Sequence, residues 1–351
     1  MSKESEPKGS IPLRMDLKRP LLLRRLSMVS LLLLCFLIAA VYFGISIGST
    51  GSGIGESLAT LFDGKDTADS MRHAIIWQIR FPRVLLAILV GATLSLGGLV
   101  FQALLRNPLA EPYILGISSG SGIGAIIGIL AGLSRFPGVS ATAFAGSMGT
   151  LLLLFVMSSG QTMLKKDTLL LSGVMVNAFC AALIMFLMSI TQDSRLHNII
   201  FWLMGDLSTA DLYQVGILAG LLIPGFILLF FLSNAMNLLL MGKELAQTMG
   251  LNIKAATVTL LVATSFMVSL TVSYCGPIGF VGLVMPHVLR LAFGPDHRVL
   301  VPACIFGGGT YMVLCDLLAR TLPDQGEMPA GVITAMIGVP LFIILLKKSG
   351  R

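Results

Sequence analysis

The chain has 351 residues, of which 55% are hydrophobic and only 12% are charged, and its mean hydropathy is +0.91. A soluble domain carries about a quarter charged residues, so this composition excludes the soluble classes and indicates a polytopic membrane protein. The net charge of +7 does not point to nucleic acid, because basic residues concentrate before Met28 and at the carboxyl end. There they flank apolar runs, as topology signals and contacts for anionic lipid do.

In chain order, the pattern predicts a basic arm followed by one all-α membrane domain. Residues 1–27 are polar and basic and are predicted to be a disordered cytoplasmic arm, and residues 28–351 a single transmembrane domain. The ten predicted spans are 28–47, 84–105, 113–131, 139–157, 169–190, 213–232, 255–274, 278–293, 299–318 and 331–346. The apolar stretch 197–204 is too short to cross and carries Trp202, which indicates a half-helix at the membrane surface.

The distribution of positive charge predicts the topology. Ten crossings place both termini on the same side, and with the termini inside, the inner segments hold 17 of the 24 Lys and Arg residues. Cytoplasmic segments of membrane proteins carry such an excess. We therefore expect a multi-pass protein with both termini in the cytoplasm.

The third span carries glycine at every fourth position. These residues are Gly116, Gly120, Gly124, Gly128 and Gly132. Such a stripe lets a second helix approach to backbone contact, so close packing within the chain is expected. A stripe beside a transport path is the alternative.

The polar stretch 238–254 separates two long apolar runs. Small residues recur there every four positions, with larger apolar residues beside them and an acid in the first turn: Gly242, Glu244, Leu245, Ala246, Met249 and Gly250. The pattern predicts a short capped helix at about 241–251 on the membrane surface, with a small-residue face that another protein could contact closely. An ordinary amphipathic linker helix is the alternative.

Motifs for catalysis and cofactor binding are missing from the sequence. It contains no GxxxxGK[ST] phosphate-binding loop, no HExxH and no close Cys/His cluster, so we expect no catalytic, cofactor or metal residues. Asp316 is the one clear carboxylate inside a predicted span, and Arg320 lies one turn further on as an ion-pair partner. An ion-coupled secondary transporter normally needs more such groups. That class is kept as the alternative, and a membrane enzyme is disfavoured by the missing catalytic residues.

Several long motifs then indicate a family. The stretch LLLMGKELAQTMGLNIK, the block RFPRVLLAILVGATLSLGGLVFQALLRNPLAEPYILGISSGSG and the block GPIGFVGLVMPHVLRLAFGPDHRVLVPA resemble type II ABC importer permeases of the FecCD family. The resemblance runs from about Arg80 to Leu346. It implies an inner-membrane permease subunit for a metal chelate, with a ferric siderophore expected first and haem or cobalamin next.

The resemblance also implies partners. Two copies of the permease would form the pathway, most simply as a homodimer in membrane lipid, and no nucleic acid is involved. Two ATP-binding subunits would use Mg-ATP, with the stretch 238–254 docked into them as the coupling helix. A periplasmic binding protein would deliver the cargo from the opposite side.

Site residues follow only from this resemblance. Arg80, Arg83 and Arg320 match arginines that pair with glutamates of the binding protein in cobalamin members, with anchoring at the membrane interface as the alternative. The fifth span, the half-helix and the tenth span would face the path. Residues expected at the gate or in the lining are Lys166, Asp167, Ser172, Asn177 and Thr334. For the last three, a polar group satisfied by neighbouring helices is the alternative.

Overall fold

The computed structural model describes residues 18–47, 74–158, 166–323 and 326–349, and these contain helices and turns but no strand. The thirteen α-helices of this part of the chain are α1 Lys18–Ser46, α2 Phe81–Leu105, α3 Ile117–Leu130, α4 Ser140–Ser158, α5 Lys166–Ser189, α6 Asp193–Leu203, α7 Leu212–Phe231, α8 Ser233–Met241, α9 Lys243–Thr248, α10 Ile253–Cys275, α11 Val281–Phe293, α12 His297–Thr321 and α13 Ala330–Ser349. Two π turns, Ile75–Arg80 and Arg135–Val139, lead into α2 and α4, and a 3-10 turn, Pro112–Leu115, precedes α3.

The helices match the predicted spans. Seven helical segments within the described ranges are long and apolar enough to cross a membrane, and α3, α11 and α13 are shorter apolar helices. Together they coincide with the ten predicted spans, which confirms an all-α polytopic fold. Helix α6 has 11 residues and occupies the position predicted for the half-helix.

The first helix begins earlier than predicted. Residues 18–27, expected as part of a disordered arm, instead form the first turns of α1. Arg25 explains part of this order, because its Nη2 donates to the carbonyl of Phe293 at 2.6 Å and so satisfies an open carbonyl at the end of α11. The rest of the arm, residues 1–17, lies outside the described residues, as does the stretch 48–73.

Helix α2 forms the centre of the bundle. It is buried along most of its length and packs against α10, α11 and α12. Two glycine pairs permit this close approach. A Cβ added to Gly308 of α12 would lie 3.0 Å from the carbonyl carbon of Gly91, and one added to Gly98 would lie 2.6 Å from Cα of Gly282 in α11. Helices that touch through their backbones in this way gain contact area without large side chains.

The glycine stripe of the third span packs inside the chain, as expected. Gly120, Gly124 and Gly128 of α3 face α4, where a Cβ on Gly120 would lie 2.7 Å from the carbonyl oxygen of Gly146. At Gly124 an added Cβ would collide with the backbone of Thr142. The stripe is therefore a helix–helix contact, and the alternative of a path-lining stripe is not supported.

Candidate functional site

A short helix stands where the sequence predicts one, between α8 and α10. Gly242 precedes α9 with a φ of +119°, and Gly250 follows it with a φ of +84°, a backbone region that suits glycine. The C-terminal end closes with two backbone bonds, from the N–H of Gly250 to Gln247 and from the N–H of Leu251 to Ala246, at 2.9 and 3.0 Å. This pairing is the Schellman arrangement, which stops a helix sharply.

The face that α9 exposes differs from the prediction. Ala246 is fully buried, whereas Leu245 and Met249 are 50% and 58% exposed. The expected small-residue docking face is therefore wrong, because Gly242 and Gly250 flank the helix as caps and Ala246 faces the interior of the chain. The surface available to a partner includes the large apolar side chains of Leu245 and Met249, and the polar residues Glu244, Gln247 and Thr248 are exposed beside them.

A buried charge network joins α2, α12 and the segment that precedes α13. Nε of Arg83 lies 2.8 Å from Oδ1 of Asp316, and Nε of Arg320 lies 3.1 Å from the other carboxylate oxygen. Arg83 also pairs through Nη1 with Glu327, which is 39% exposed. Arg80 and Arg320 donate to carbonyls at the end of α1, those of Ile45 and Gly44, at 3.0 and 3.1 Å.

This network contradicts the prediction of an open docking surface. Arg80, Arg83 and Arg320 are only 3–5% exposed, and each is engaged within the chain. A buried guanidinium requires such partners, since an unpaired charge in the interior is costly. The expected ion pair between Asp316 and Arg320 is confirmed. Glu327 was missed, because nothing local in the sequence connects it to a residue of α2.

The predicted path residues fall into two groups. Asn177 donates to the carbonyl of Tyr113 at 3.0 Å and accepts from the hydroxyl of Ser119 at 2.6 Å, and buried Thr334 donates to the carbonyl of Gly331 at 3.0 Å. Both are satisfied by their own or neighbouring helices, as in the alternative stated above, and Ser172 is buried too. Lys166 and Asp167 begin α5, but their side chains lie outside the described residues, as does the loop 159–165.

The end of α6, the end of α10 and the start of α13 lie close together. The N–H of Asp206, after α6, donates to the carbonyl of Cys275 at the end of α10, at 2.8 Å. Gly276 has a φ of +73°, and a Cβ there would collide with the carbonyl of Trp202. Gly331, at the start of α13, approaches the same region and donates to Gly205 at 3.4 Å. The half-helix, the broken pair α10–α11 and α13 are thus held together through their backbones.

Broad apolar faces remain uncovered on α5 and α13. The strongly exposed members are Leu171, Val174, Met175, Phe179, Met185, Phe186, Met336, Ile343 and Ile344. In the described part of the chain, no group of three or more His, Cys, Asp or Glu residues could hold a metal ion. The features that stand out are therefore surfaces for packing and association.

Comparison with known proteins identifies the family. The model of the FecCD transport family matches residues 33–348. The chain belongs to the FecCD transport family. The predicted resemblance is thus confirmed over nearly the whole membrane domain, and the alternative of an ion-coupled carrier is not favoured.

Named relatives of this FecCD protein are vitamin B12 permeases. The chain is 40% identical over 286 residues to the vitamin B12 import system permease protein BtuC of Salmonella arizonae, covering 82% of this chain and 87% of the relative. The BtuC protein of Salmonella typhimurium is 40% identical over 288 residues, with the same coverage of both chains. A FecCD protein with such relatives is a permease subunit of an ABC importer.

Solved structures agree with this assignment. An inward-facing metal-chelate type ABC transporter superposes with a TM-score of 0.82 at 31% identity, covering 92% of this chain and 99% of that one. PsaBC from Streptococcus pneumoniae, in complex with Fab, gives a TM-score of 0.58 at 18% identity, covering 80% and 95%, and supports the fold alone. The architecture is therefore that of a multi-pass importer permease.

Proposed function

We propose that this chain is the permease subunit of an ATP-driven importer that carries a cobalamin-type metal chelate across the inner membrane. The observation that carries the proposal is the 40% identity to vitamin B12 import permeases over 82% of the chain. The sequence motifs alone favoured a ferric siderophore, with haem and cobalamin next. The relatives move cobalamin to first place, and the other two chelates become competing outcomes of the experiment below.

A single copy leaves the path incomplete in this proposal. Helices α5 and α13 both expose apolar faces. Phe179 of α5, for example, is 67% exposed. Two copies that bring these faces and α6 towards a common axis would enclose a path, whereas the outward faces of α1 and α7 would contact lipid. Intramembrane association through close helix contacts of this kind needs good packing, because lipid removes the usual hydrophobic driving force.

Helix α9 would couple ATP hydrolysis by the partner subunit to transport. The helix is short, is stopped at both ends by glycine and exposes Leu245 and Met249. Apolar side chains on an otherwise polar surface segment suit a groove in a partner protein. Since the sequence carries no phosphate-binding loop motif, hydrolysis of Mg-ATP is assigned to that separate subunit. With both termini in the cytoplasm, α9 lies on the cytoplasmic side, where the subunit would meet it.

The experiment is a cargo comparison in proteoliposomes. The permease is reconstituted with its ATP-binding subunit, and its binding protein is supplied from the outer side. Uptake of labelled cyanocobalamin, a ferric hydroxamate siderophore and haem is then measured with Mg-ATP on the cytoplasmic side. We expect saturable uptake of cyanocobalamin and background uptake of the other two. Selective uptake of the siderophore or of haem would contradict the assignment of the cargo.

A further inference from the structure

Asn237 lies at the middle of α8, the short helix that leads into α9. Asparagine is a poor residue for a helix interior, because its amide competes with the backbone for hydrogen bonds. Here the amide instead reaches the start of α12. Its Nδ2 donates to Oδ1 of Asp296 at 2.8 Å, and its Oδ1 accepts from the backbone N–H of His297 at 2.9 Å. One side chain of α8 therefore joins that helix to the first residues of another.

The partners fix the orientation of the Asn237 amide. Burial alone would raise the pKa of Asp296, but hydrogen bonds from Arg298 and Asn237 outweigh it and hold that pKa below its ordinary value. Asp296 is therefore an ionised acceptor, which selects Nδ2 of the amide as its partner. Asp296 also caps α12, since it accepts from the backbone N–H of Arg298 at 3.0 Å.

The histidine beside this cap is part of the same contact. His297 is fully buried, and its ring nitrogen Nδ1 lies 2.8 Å from Oδ1 of Asn237. An amide oxygen can only accept, so Nδ1 of His297 carries a proton. The bridge from α8 to α12 thus consists of three directional hydrogen bonds around one side chain.

Helix α8 is packed between this bridge and α9. Ala246 of α9 is fully buried, and α9 contacts both α8 and α10. Met236 and Leu239 of α8 are also buried, and α8 packs against α2 and α12. A displacement of α9 would therefore move α8 as well.

Helix α12 continues the connection towards the proposed path. It packs against α11 and α13. The hydroxyl of Tyr311, on α12, donates to the carbonyl of Thr334, on α13, at 3.3 Å. Since α13 is one of the helices proposed to enclose the path, two interhelical contacts connect α8 with a helix at the path.

We infer that Asn237 is a positioning residue of the import cycle, whose hydrogen bonds to Asp296 and His297 transmit movement of α9 to α12 and from there to α13. The inference rests on the proposed function, because it requires an ATP-binding subunit that moves α9. Packed helices joined by hydrogen bonds can carry such coupling between distant sites. Asn237 acts through α12, so its loss should affect the use of ATP hydrolysis for transport rather than hydrolysis itself.

The test compares uptake with ATP hydrolysis in the proteoliposomes of the cargo comparison. Cyanocobalamin uptake and phosphate release are both measured, and the readout is uptake per ATP hydrolysed. This ratio does not fall when a variant only lowers the amount of assembled complex. Asn237→Asp places a carboxylate against that of Asp296, and we expect the ratio to fall about tenfold. Asn237→Leu removes the hydrogen bonds without adding a charge, should show a similar loss, and serves alone if the first variant does not fold.

Exchange of the two groups should restore coupling. In Asn237→Asp combined with Asp296→Asn, the amide and the carboxylate change places, so the hydrogen bond forms again in the reverse direction. Arg298 loses its charged partner at little cost, because it is 44% exposed. We expect a ratio within about twofold of the wild type. Asn234→Asp is the matched control, since it adds the same charge at an exposed position of α8 and should keep the wild-type ratio.

The outcomes separate this inference from the proposed function. A wild-type ratio for both Asn237→Asp and Asn237→Leu, even with lower thermal stability, would make the contact purely structural and overturn the inference. A lowered ratio that the exchange leaves lowered would also overturn it, because the contact with Asp296 would not be responsible. Both results leave the proposed function intact. If the wild type takes up no cyanocobalamin with ATP, the proposed function fails and the inference fails with it.

Discussion

Arg83 of α2 and Asp316 of α12 form a buried ion pair with a 2.8 Å separation, although they are 233 positions apart in the sequence. Asp316 is fully buried and also pairs with Arg320, so one carboxylate balances two guanidinium groups. The ion pair therefore links α2, in the first part of the membrane domain, to α12, in the last part. Its burial makes it a structural element of the fold.

Removal of Asp316 should destabilise the permease strongly. Asp316→Ala leaves Arg83 and Arg320 without their shared carboxylate, and loss of one partner of a buried ion pair costs about 3–5 kcal/mol. Thermal unfolding in detergent would report this as a large fall in Tm. Glu327→Gln is the matched control, since Glu327 is partly exposed and a solvated pair contributes about 1 kcal/mol or less. Equal stability of Asp316→Ala and the wild type would show that the network does not hold the helices together.

The glycine contact between α3 and α4 should be sensitive to a single methyl group. Gly124→Ala places a Cβ against the backbone of Thr142, and overpacking of this kind costs about 1–3 kcal/mol. Gly149→Ala, on α4, is the control, because a Cβ there meets nothing within 4 Å. Thermal stability should fall for the first variant and stay level or rise for the second. A Gly124→Ala protein as stable as Gly149→Ala would refute the backbone contact.

The exposed side chains of α9 should govern coupling without affecting folding. Leu245→Glu combined with Met249→Glu removes the apolar contact offered to the ATP-binding subunit, and we expect association to weaken at least about tenfold. Thermal stability of the isolated permease should not change, since both side chains are half-exposed. Ala246→Trp should behave in the opposite manner, because it overpacks a buried position and lowers stability. Co-purification of the ATP-binding subunit and unfolding curves would measure both effects.

Leu109→Glu serves as the control for the α9 variants. Leu109 is also an exposed large apolar residue, but it lies in the turn after α2 rather than on α9. The Leu109→Glu variant should bind the ATP-binding subunit as the wild type does. Undiminished association of the double variant would mean that another surface carries the coupling.

Stability should depend on pH through Glu111, in the turn between α2 and α3. Burial raises its pKa to about 7, and a hydrogen bond from the backbone of Phe280 only partly opposes this. The folded state therefore holds a proton that the unfolded state, with its lower pKa of 4.5, releases. Between these two values stability must fall as pH rises, by up to about 1.4 kcal/mol per pH unit.

Glu111→Gln should remove that dependence. We expect the wild type to melt at a higher temperature near pH 5 than near pH 7.5, whereas the variant loses most of this difference. Glu244→Gln, at an exposed acid of α9, is the control and should keep the wild-type trend. A Glu111→Gln protein with an unchanged pH profile would show that another group titrates in this range.

Most of the fold could be predicted because its signals are local. Apolar runs of about 20 residues mark spans, four-residue glycine spacing marks close helix contacts, and the pair Asp316–Arg320 lies within one helical turn. The start of α1 could not be placed, because a helix can extend past the apolar run when its basic residues find partners, as Arg25 does at Phe293.

The site was harder to predict because its contacts are distant in sequence. Arg83 finds Asp316 and Glu327 far along the chain, so no local pattern showed that the arginines would be buried. The six residues of α9 are too few for periodicity to show which face packs inward. Contacts with α8 and α10 determine the buried face instead.

Measurement of the energy source tests the proposed ATP-driven import most directly. Proteoliposomes that contain the permease, its ATP-binding subunit and external binding protein are loaded with Mg-ATP, and cyanocobalamin uptake is followed with all ion gradients collapsed by ionophores. We predict uptake that requires both ATP and the binding protein and is unaffected by the ionophores. Uptake that persists without ATP and stops when the gradients are collapsed would contradict it.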